Sequence, residues 1–224
     1  MIKIENLSKV YSKTYILKNI ELEFFDNRLH FIMGSNGCGK TTFLKCLLGL
    51  EKYDGTITFE GKGLKSAKPD IFSIFDDVPF YNELSGFQNI KIITGNLKVL
   101  NMTQIDDLHL LTNKKLAERV KNYSLGERKK LAFICAVLRK PKYLIIDEIS
   151  NGLDIETLEI VTEQLAFLKE NTLILATGHH LAFYKDIADE ILVHHNQTIQ
   201  QIDYYNNDRQ GDLYEVYTRY KSYS

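Results

Sequence analysis

The chain has no surplus of either charge: 28 Lys and Arg stand against 29 Asp and Glu, for a net charge of -1. Binding nucleic acid or anionic lipid through an overall field needs an excess of cations, so no direct nucleic-acid partner is expected. Long apolar runs are missing too. The longest, Leu131 to Leu138, is eight residues, less than half of the roughly 20 that a membrane-crossing helix requires. The stretch Met1-Ile2-Lys3-Ile4-Glu5-Asn6 lacks the apolar core of a secretory leader. Cys38, Cys46 and Cys135 fall at no metal-ligand spacing and suit a reducing compartment. His180, His194 and His195 have no cysteine or carboxylate at ligand spacing, which assigns them to the surface or the core edge. No repeat or linker interrupts the 224 residues, and only the Tyr-rich stretch from Tyr204 to Tyr223 is compositionally odd. One α/β domain with a small insertion is the expectation.

What is present is ordered. Ile2 to Leu7 and Ile20 to Phe24 alternate as strands do, and Thr56 to Phe59 follows an Asp54-Gly55 turn. Ile71 to Phe75 reads as a further strand. From about residue 86 to 140 helix-compatible segments replace strands, notably 116–120 and 126–139. Tyr143 to Ile146 and Thr172 to Leu175 are nearly continuous apolar strands separated by a helix-length stretch, Ile155 to Lys169. That pattern indicates a parallel sheet covered on both faces. Ile191 to Val193 and Thr198-Ile199 are positioned to close the sheet, and 212–222 to form a last short helix.

Gly34-Ser35-Asn36-Gly37-Cys38-Gly39-Lys40-Thr41 matches the pattern G-x-x-x-x-G-K-[ST]. It follows an apolar strand, Leu29 to Met33, and leads into an apolar helical segment, Thr42 to Leu50. In that context backbone N–H groups turn inward around a phosphate and the positive end of the helix faces the same anion. Lys40 is placed to bridge the terminal phosphates and the Thr41 hydroxyl to reach Mg²⁺. The strand Tyr143 to Ile146 then ends in Asp147-Glu148. Asp147 is expected to share the Mg²⁺ shell with Thr41, and Glu148 to orient and partly deprotonate the attacking water.

A third element, Tyr123-Ser124-Leu125-Gly126-Glu127-Arg128, precedes Asp147 and opens an apolar helix. It resembles the signature motif of the ABC-type ATPases, and the other elements of that family stand around it in order. Tyr11 resembles the aromatic that stacks on adenine, with Tyr15 as the alternative. Ser150-Asn151-Gly152-Leu153-Asp154 resembles the loop that couples two sites, and Thr177-Gly178-His179 the segment carrying the switch histidine. The resemblance covers essentially the whole chain, residues 1–224. It implies an ABC nucleotide-binding domain: a P-loop α/β core, an antiparallel β portion from the N-terminal strands, and a helical subdomain at about 78–139. It also implies ATP bound by Tyr11, the loop Gly34 to Thr41 and Thr42, with Lys40, Glu148 and His179 catalytic. Ser124, Leu125, Gly126 and Glu127 would act in trans, on nucleotide held by a second copy or by a different ABC ATPase. The implied function is to power a separate integral membrane permease from the cytoplasmic face of the membrane, an exporter rather than an importer. A soluble or regulatory ABC ATPase serving nucleic acid, ribosomes or another complex is the alternative.

Two departures from the family pattern carry expectations. No Gln occurs between Gly61 and Phe87, where the family has a Gln near Mg²⁺, and Asp76 is the positional match. Its shorter, charged side chain implies altered coupling, unless Asp76 and Asp77 form a solvated loop. Leu125 stands at the first of the two signature glycines, where its side chain either crowds the partner's γ-phosphate or points aside. Arg128-Lys129-Lys130 reads as the solvated face of the signature helix.

Overall fold

Why apolar strands run nearly unbroken through this chain becomes clear from where alternate residues go. The computed structural model describes residues 1–75, 77–95, 102–178 and 181–202. Strands β1 (Ile2–Tyr11), β2 (Thr14–Phe24) and β4 (Asp54–Phe59) form an antiparallel sheet in the order β2-β1-β4. The second sheet has the order β5-β6-β7-β3-β8-β9. It comprises β3 (Leu29–Met33), β5 (Ile71–Ile74), β6 (Tyr143–Asp147), β7 (Leu173–Gly178), β8 (Glu190–His195) and β9 (Thr198–Ile202). All its neighbours are parallel except the β8–β9 pair. Along β3, β6 and β7, the residues Ile32, Ile145 and Leu175 bury one way, against β1, β2, β4 and α1 (Lys40–Leu47). Phe31, Met33, Leu144, Ile146, Ile174 and Ala176 bury the other way, against α6 (Leu125–Arg139) and α7 (Ile155–Leu168). Both faces are covered, so these strands are apolar at nearly every position, with His30, Asp147 and Thr177 as the buried polar exceptions.

The remaining helices are short: α2 (Leu64–Ala67), α3 (Gly86–Thr94), α4 (Met102–Asp107), α5 (Asn113–Ala117) and α8 (Leu181–Tyr184). α3 and α5 pack together, and α3 also packs on α6. Ser85 starts α3 through a reciprocal capping box with Gln88, which satisfies two otherwise free backbone donors.

Several expected boundaries move. The helix after the phosphate loop spans Lys40–Leu47, not 42–50, because its first turn includes Lys40 itself. The helix expected over 116–120 lies at Asn113–Ala117, where the Thr112 side chain caps it, and Val120–Asn122 is a separate 3₁₀ turn. β1 and β2 extend to a two-residue turn at Ser12 and Lys13, both with positive φ. Such a turn matches the right-handed strand twist even without the usual Asn or Gly. The helix expected at 212–222 lies outside the described residues.

The sheet register sets the site. Asp147 pairs with Thr177 across β6 and β7, and Met33 pairs with Gly178 across β3 and β7. The carboxyl ends of these three strands therefore lie level, with the segments 34–39 and 148–154 leaving the same edge. This is where open parallel sheets place their ligands.

Candidate active site

The phosphate loop is tight because Gly39 is a glycine. It has φ 116, and a Cβ there would lie 2.7 Å from Ile16 Cγ2 and 2.8 Å from His194 Cε1. Only a residue without a side chain lets the loop descend onto β2 and β8 and enter α1. Lys40, the first residue of α1, is buried, and its ammonium donates to the carbonyls of Gly34 at 2.9 Å and Ser35 at 3.2 Å. Glu148 Oε1 lies 3.7 Å from the same ammonium. A cavity of about 280 Å³ opens over the loop, lined by Ile16, Asn36, Gly37, Gly39, Lys40, Thr41, Thr42, Asp147 and Glu148. The start of α1 and a cation held by carbonyls make this a polar, anion-seeking space, and polyphosphate suits it. Cys38 is half-buried, and burial raises its thiol pKa, so it is not poised as a thiolate here.

Asp147 ends β6 with both carboxylate oxygens engaged by hydroxyls: Thr41 Oγ1 donates to Oδ2 at 2.7 Å, and Thr177 Oγ1 to Oδ1 at 2.5 Å. A hydroxyl and a carboxylate already in contact at the cavity floor fit Mg²⁺, which takes one or two protein oxygens and completes its shell with water and phosphate. No group of three or more His, Cys, Asp or Glu suited to a metal occurs among the described residues.

Glu148 adopts the left-handed region, φ 48, so the chain turns sharply off β6 and redirects the side chain over the cavity. Its carboxylate is held from both sides, by Asn151 Nδ2 at 2.6 Å on Oε2 and by Lys40 near Oε1. Asn151 donates its own N–H to the Glu148 carbonyl at 3.2 Å, which closes the turn.

Ser124 is the N-cap of α6, in a capping box with Glu127: its hydroxyl accepts from the Glu127 N–H at 3.2 Å, and the Glu127 carboxylate accepts from the Ser124 N–H at 2.7 Å. Burial pushes the Glu127 carboxyl pKa up, but that N–H and the Lys115 ammonium 3.1 Å away bring it below its ordinary value. Leu125 follows with 51% of its surface exposed, so its side chain points outward rather than into the fold. Gly126 faces the loop after Glu148: a Cβ on it would lie 2.6 Å from the Gly152 carbonyl oxygen.

The basic triplet after the motif is not a solvated face. Lys129 is fully buried and donates to the carbonyls of Glu148 and Asn151, both at 2.9 Å. Arg128 donates to Asn82 Oδ1 at 2.9 Å, and Lys130 to Asp154 Oδ2 at 3.1 Å. Lys129 is buried because the loop 148–152 folds back over the first turns of α6. His194 is also not at an edge: it is buried beneath Gly39, with neither ring nitrogen hydrogen-bonded among the described residues. Burial first, then the charge of Lys40, lowers its pKa to about 4, against a smaller opposite pull from the Ile16 backbone.

Tyr11 and Tyr15 are both exposed at the β1–β2 hairpin, with Lys9 Nζ 4.5 Å from the Tyr11 ring centre. Ile16, which the sequence did not single out, is the hairpin residue that reaches the cavity. Asp76, His179 and His180 lie outside the described residues.

Residues 17–151 match the family model described as ABC transporter. The chain belongs to that family. It is accordingly an ABC-type ATPase, as the phosphate loop, the Asp147-Glu148 strand end and the Ser124 helix in one fold require. A lantibiotic transport ATP-binding protein from Streptococcus pyogenes is 33% identical over 223 residues, covering 96% of each chain. A methionine import ATP-binding protein from Clostridioides difficile is 26% identical, covering 98% of this chain and 71% of that one. The fold matches a solved ATP-binding subunit of an ABC transporter with a TM-score of 0.84 at 23% identity, over 99% of both chains. No helix among the described residues is long and apolar enough to cross a membrane.

Proposed function

We propose that this ATPase is the energy-supplying subunit of a transporter whose membrane-spanning permease is a separate polypeptide. The observation that carries the reading is the level edge of β3, β6 and β7, which gathers Lys40, Thr41, Asp147 and Glu148 around one cavity. ATP binds with its phosphates over Gly34 to Thr42, where Lys40 exchanges the loop carbonyls for phosphate oxygens. Thr41 and Asp147 hold Mg²⁺, which when bound offsets the charge that develops on the transferred phosphoryl group. Glu148 orients the attacking water and accepts its proton. Asp76 is the further candidate for the metal shell, His179 for the γ-phosphate contact, and Tyr11 for stacking on adenine.

Ser124 to Glu127, at the start of α6, serve the nucleotide of a second subunit. That partner is a second copy or a different ABC ATPase. The helical unit at about 78–139 and the segment Asp76 to Tyr81 meet the permease at the cytoplasmic face of the membrane. Outward transport is the direction we favour; the relative named for lantibiotic transport is 33% identical to this chain and the one named for methionine import 26%.

Isolating the tagged chain from detergent-solubilised membranes and from cytosol tests the assignment. A stoichiometric polytopic membrane protein, with ATP turnover lost in Lys40→Ala, is the expected result; co-isolation with ribosomes instead would overturn it.

A further inference from the structure

The three basic residues that follow the signature motif each hold a different part of the ATPase, and one of them reaches the backbone of the proposed base. We propose that Lys129 is the positioning residue of the hydrolytic site: its buried ammonium fixes the turn at Glu148 and ties that residue to the helix beginning at Ser124. The inference rests on Glu148 acting as the base.

Two carbonyls three residues apart, those of Glu148 and Asn151, converge on one ammonium at 2.9 Å each. Carbonyls that point to the same spot require a sharp turn between them, and Glu148 meets it with φ 48, a conformation residues with a side chain rarely adopt. Such a conformation persists where the surroundings over-determine it. Lys129 supplies that constraint from inside, while Asn151 and Lys40 hold the carboxylate from outside. Without the ammonium, the Glu148 carbonyl keeps the longer 3.2 Å bond from the Asn151 N–H but loses its 2.9 Å donor, the Asn151 carbonyl loses a 2.9 Å donor too, and the left-handed turn relaxes, which moves the carboxylate away from Lys40.

The same contact joins two sites. α6 starts at Ser124, meets the loop at Gly126 against the Gly152 carbonyl, reaches Glu148 through Lys129 and reaches Asp154 through Lys130. Arg128 holds Asn82, beside the segment assigned to the permease. A displacement of α6, imposed by nucleotide of the partner subunit or by the permease, is therefore delivered to the Glu148 backbone by the Lys129 ammonium, beside the packing of Gly126 on Gly152.

The test compares Lys129→Met, Lys129→Arg and Glu148→Gln in the complex as isolated, measuring kcat, KM and the equilibrium affinity for Mg·ATP. Lys129→Met is expected to lower kcat by about 10- to 100-fold, the usual effect of misplacing a reacting group by about 1 Å. ATP affinity and KM should stay within about twofold, because the phosphate loop is untouched. Lys129→Arg, which can still reach both carbonyls, should recover part of the rate. A kcat within about twofold of the parent in Lys129→Met, or equal losses of kcat and ATP affinity, would overturn the proposal. Where Lys129→Met does not fold, Lys129→Gln makes the same comparison, since its amide spans only one of the two carbonyls. Full turnover in Glu148→Gln would instead remove Glu148 as the base, an outcome separable from the behaviour of Lys129.

Discussion

The Thr41 hydroxyl donates a 2.7 Å hydrogen bond to Asp147, joining the phosphate loop to the end of a strand 106 residues later. The pair stands where a divalent cation can be shared between hydroxyl and carboxylate. Thr41→Ala should therefore weaken ATP binding in the presence of Mg²⁺ by about tenfold, in line with typical losses around metal sites. Binding of metal-free ATP should change little. Calorimetric titration with and without Mg²⁺ reads the difference.

Gly126 is constrained within its own subunit as well as by the nucleotide it is proposed to face. A methyl group would lie 2.6 Å from the Gly152 carbonyl oxygen, and neither backbone is the flexible end of a side chain. Gly126→Ala should lower stability by about 1 to 3 kcal/mol, the usual cost of overpacking. Chemical denaturation of the isolated chain measures this apart from any effect on turnover.

Leu125 is half exposed at the first position of α6, so removing its side chain leaves the core intact. Leu125→Gly should shift stability by about 1 kcal/mol or less. If the isobutyl group crowds the partner's γ-phosphate, the same change raises the ATPase rate of the assembled complex. An unchanged or lower rate means that Leu125 points aside there too.

His194 makes stability depend on pH. Its pKa falls from an ordinary 6.5 to about 4 in the fold, so between those values the unfolded chain binds the extra proton. Stability then rises with pH from about 4 to about 6.5 and is level above, with a contribution of about 3 kcal/mol lost at the acid end. His194→Leu should flatten that part of the curve in thermal unfolding measured across pH.

The local signals were legible and the non-local ones were not. Gly34 to Thr41 between an apolar strand and a helix, and Asp147-Glu148 at the end of another, are patterns carried by neighbouring residues, and the structure brings them to one cavity. The two-face burial of β6 and β7 was legible for the same reason, since continuous apolar runs have few other uses. Lys129 looked solvated because three cations in a row on a helix usually are. Its burial depends on a loop about 20 residues away folding over it, which no periodicity reports. Ile16 reaches the cavity from a different sheet, and nothing in the β2 alternation marks it. The helices at 86–94 and 113–117 did leave signals, in Ser85 with Gln88 and in Thr112, the residues that cap them.

The site as a whole predicts an ATP association between subunits. With hydrolysis blocked by Glu148→Gln, Mg·ATP should drive formation of a dimer, of this chain or with its partner ATPase, visible by light scattering; ADP should not. Ser124→Arg, which places a bulky cation at the outward start of α6, should prevent that dimer while leaving ATP bound to each subunit.

The rate of phosphate release from Mg·ATP by Glu148→Gln, relative to the parent complex and at saturating nucleotide, tests the central claim most directly. Hydrolysis reduced by about 100-fold or more with ATP affinity retained is the predicted result, since a positioned base is worth about 10² to 10⁴ in rate. Release at the parent rate would contradict the assignment of Glu148, and with it the chemistry proposed for this site.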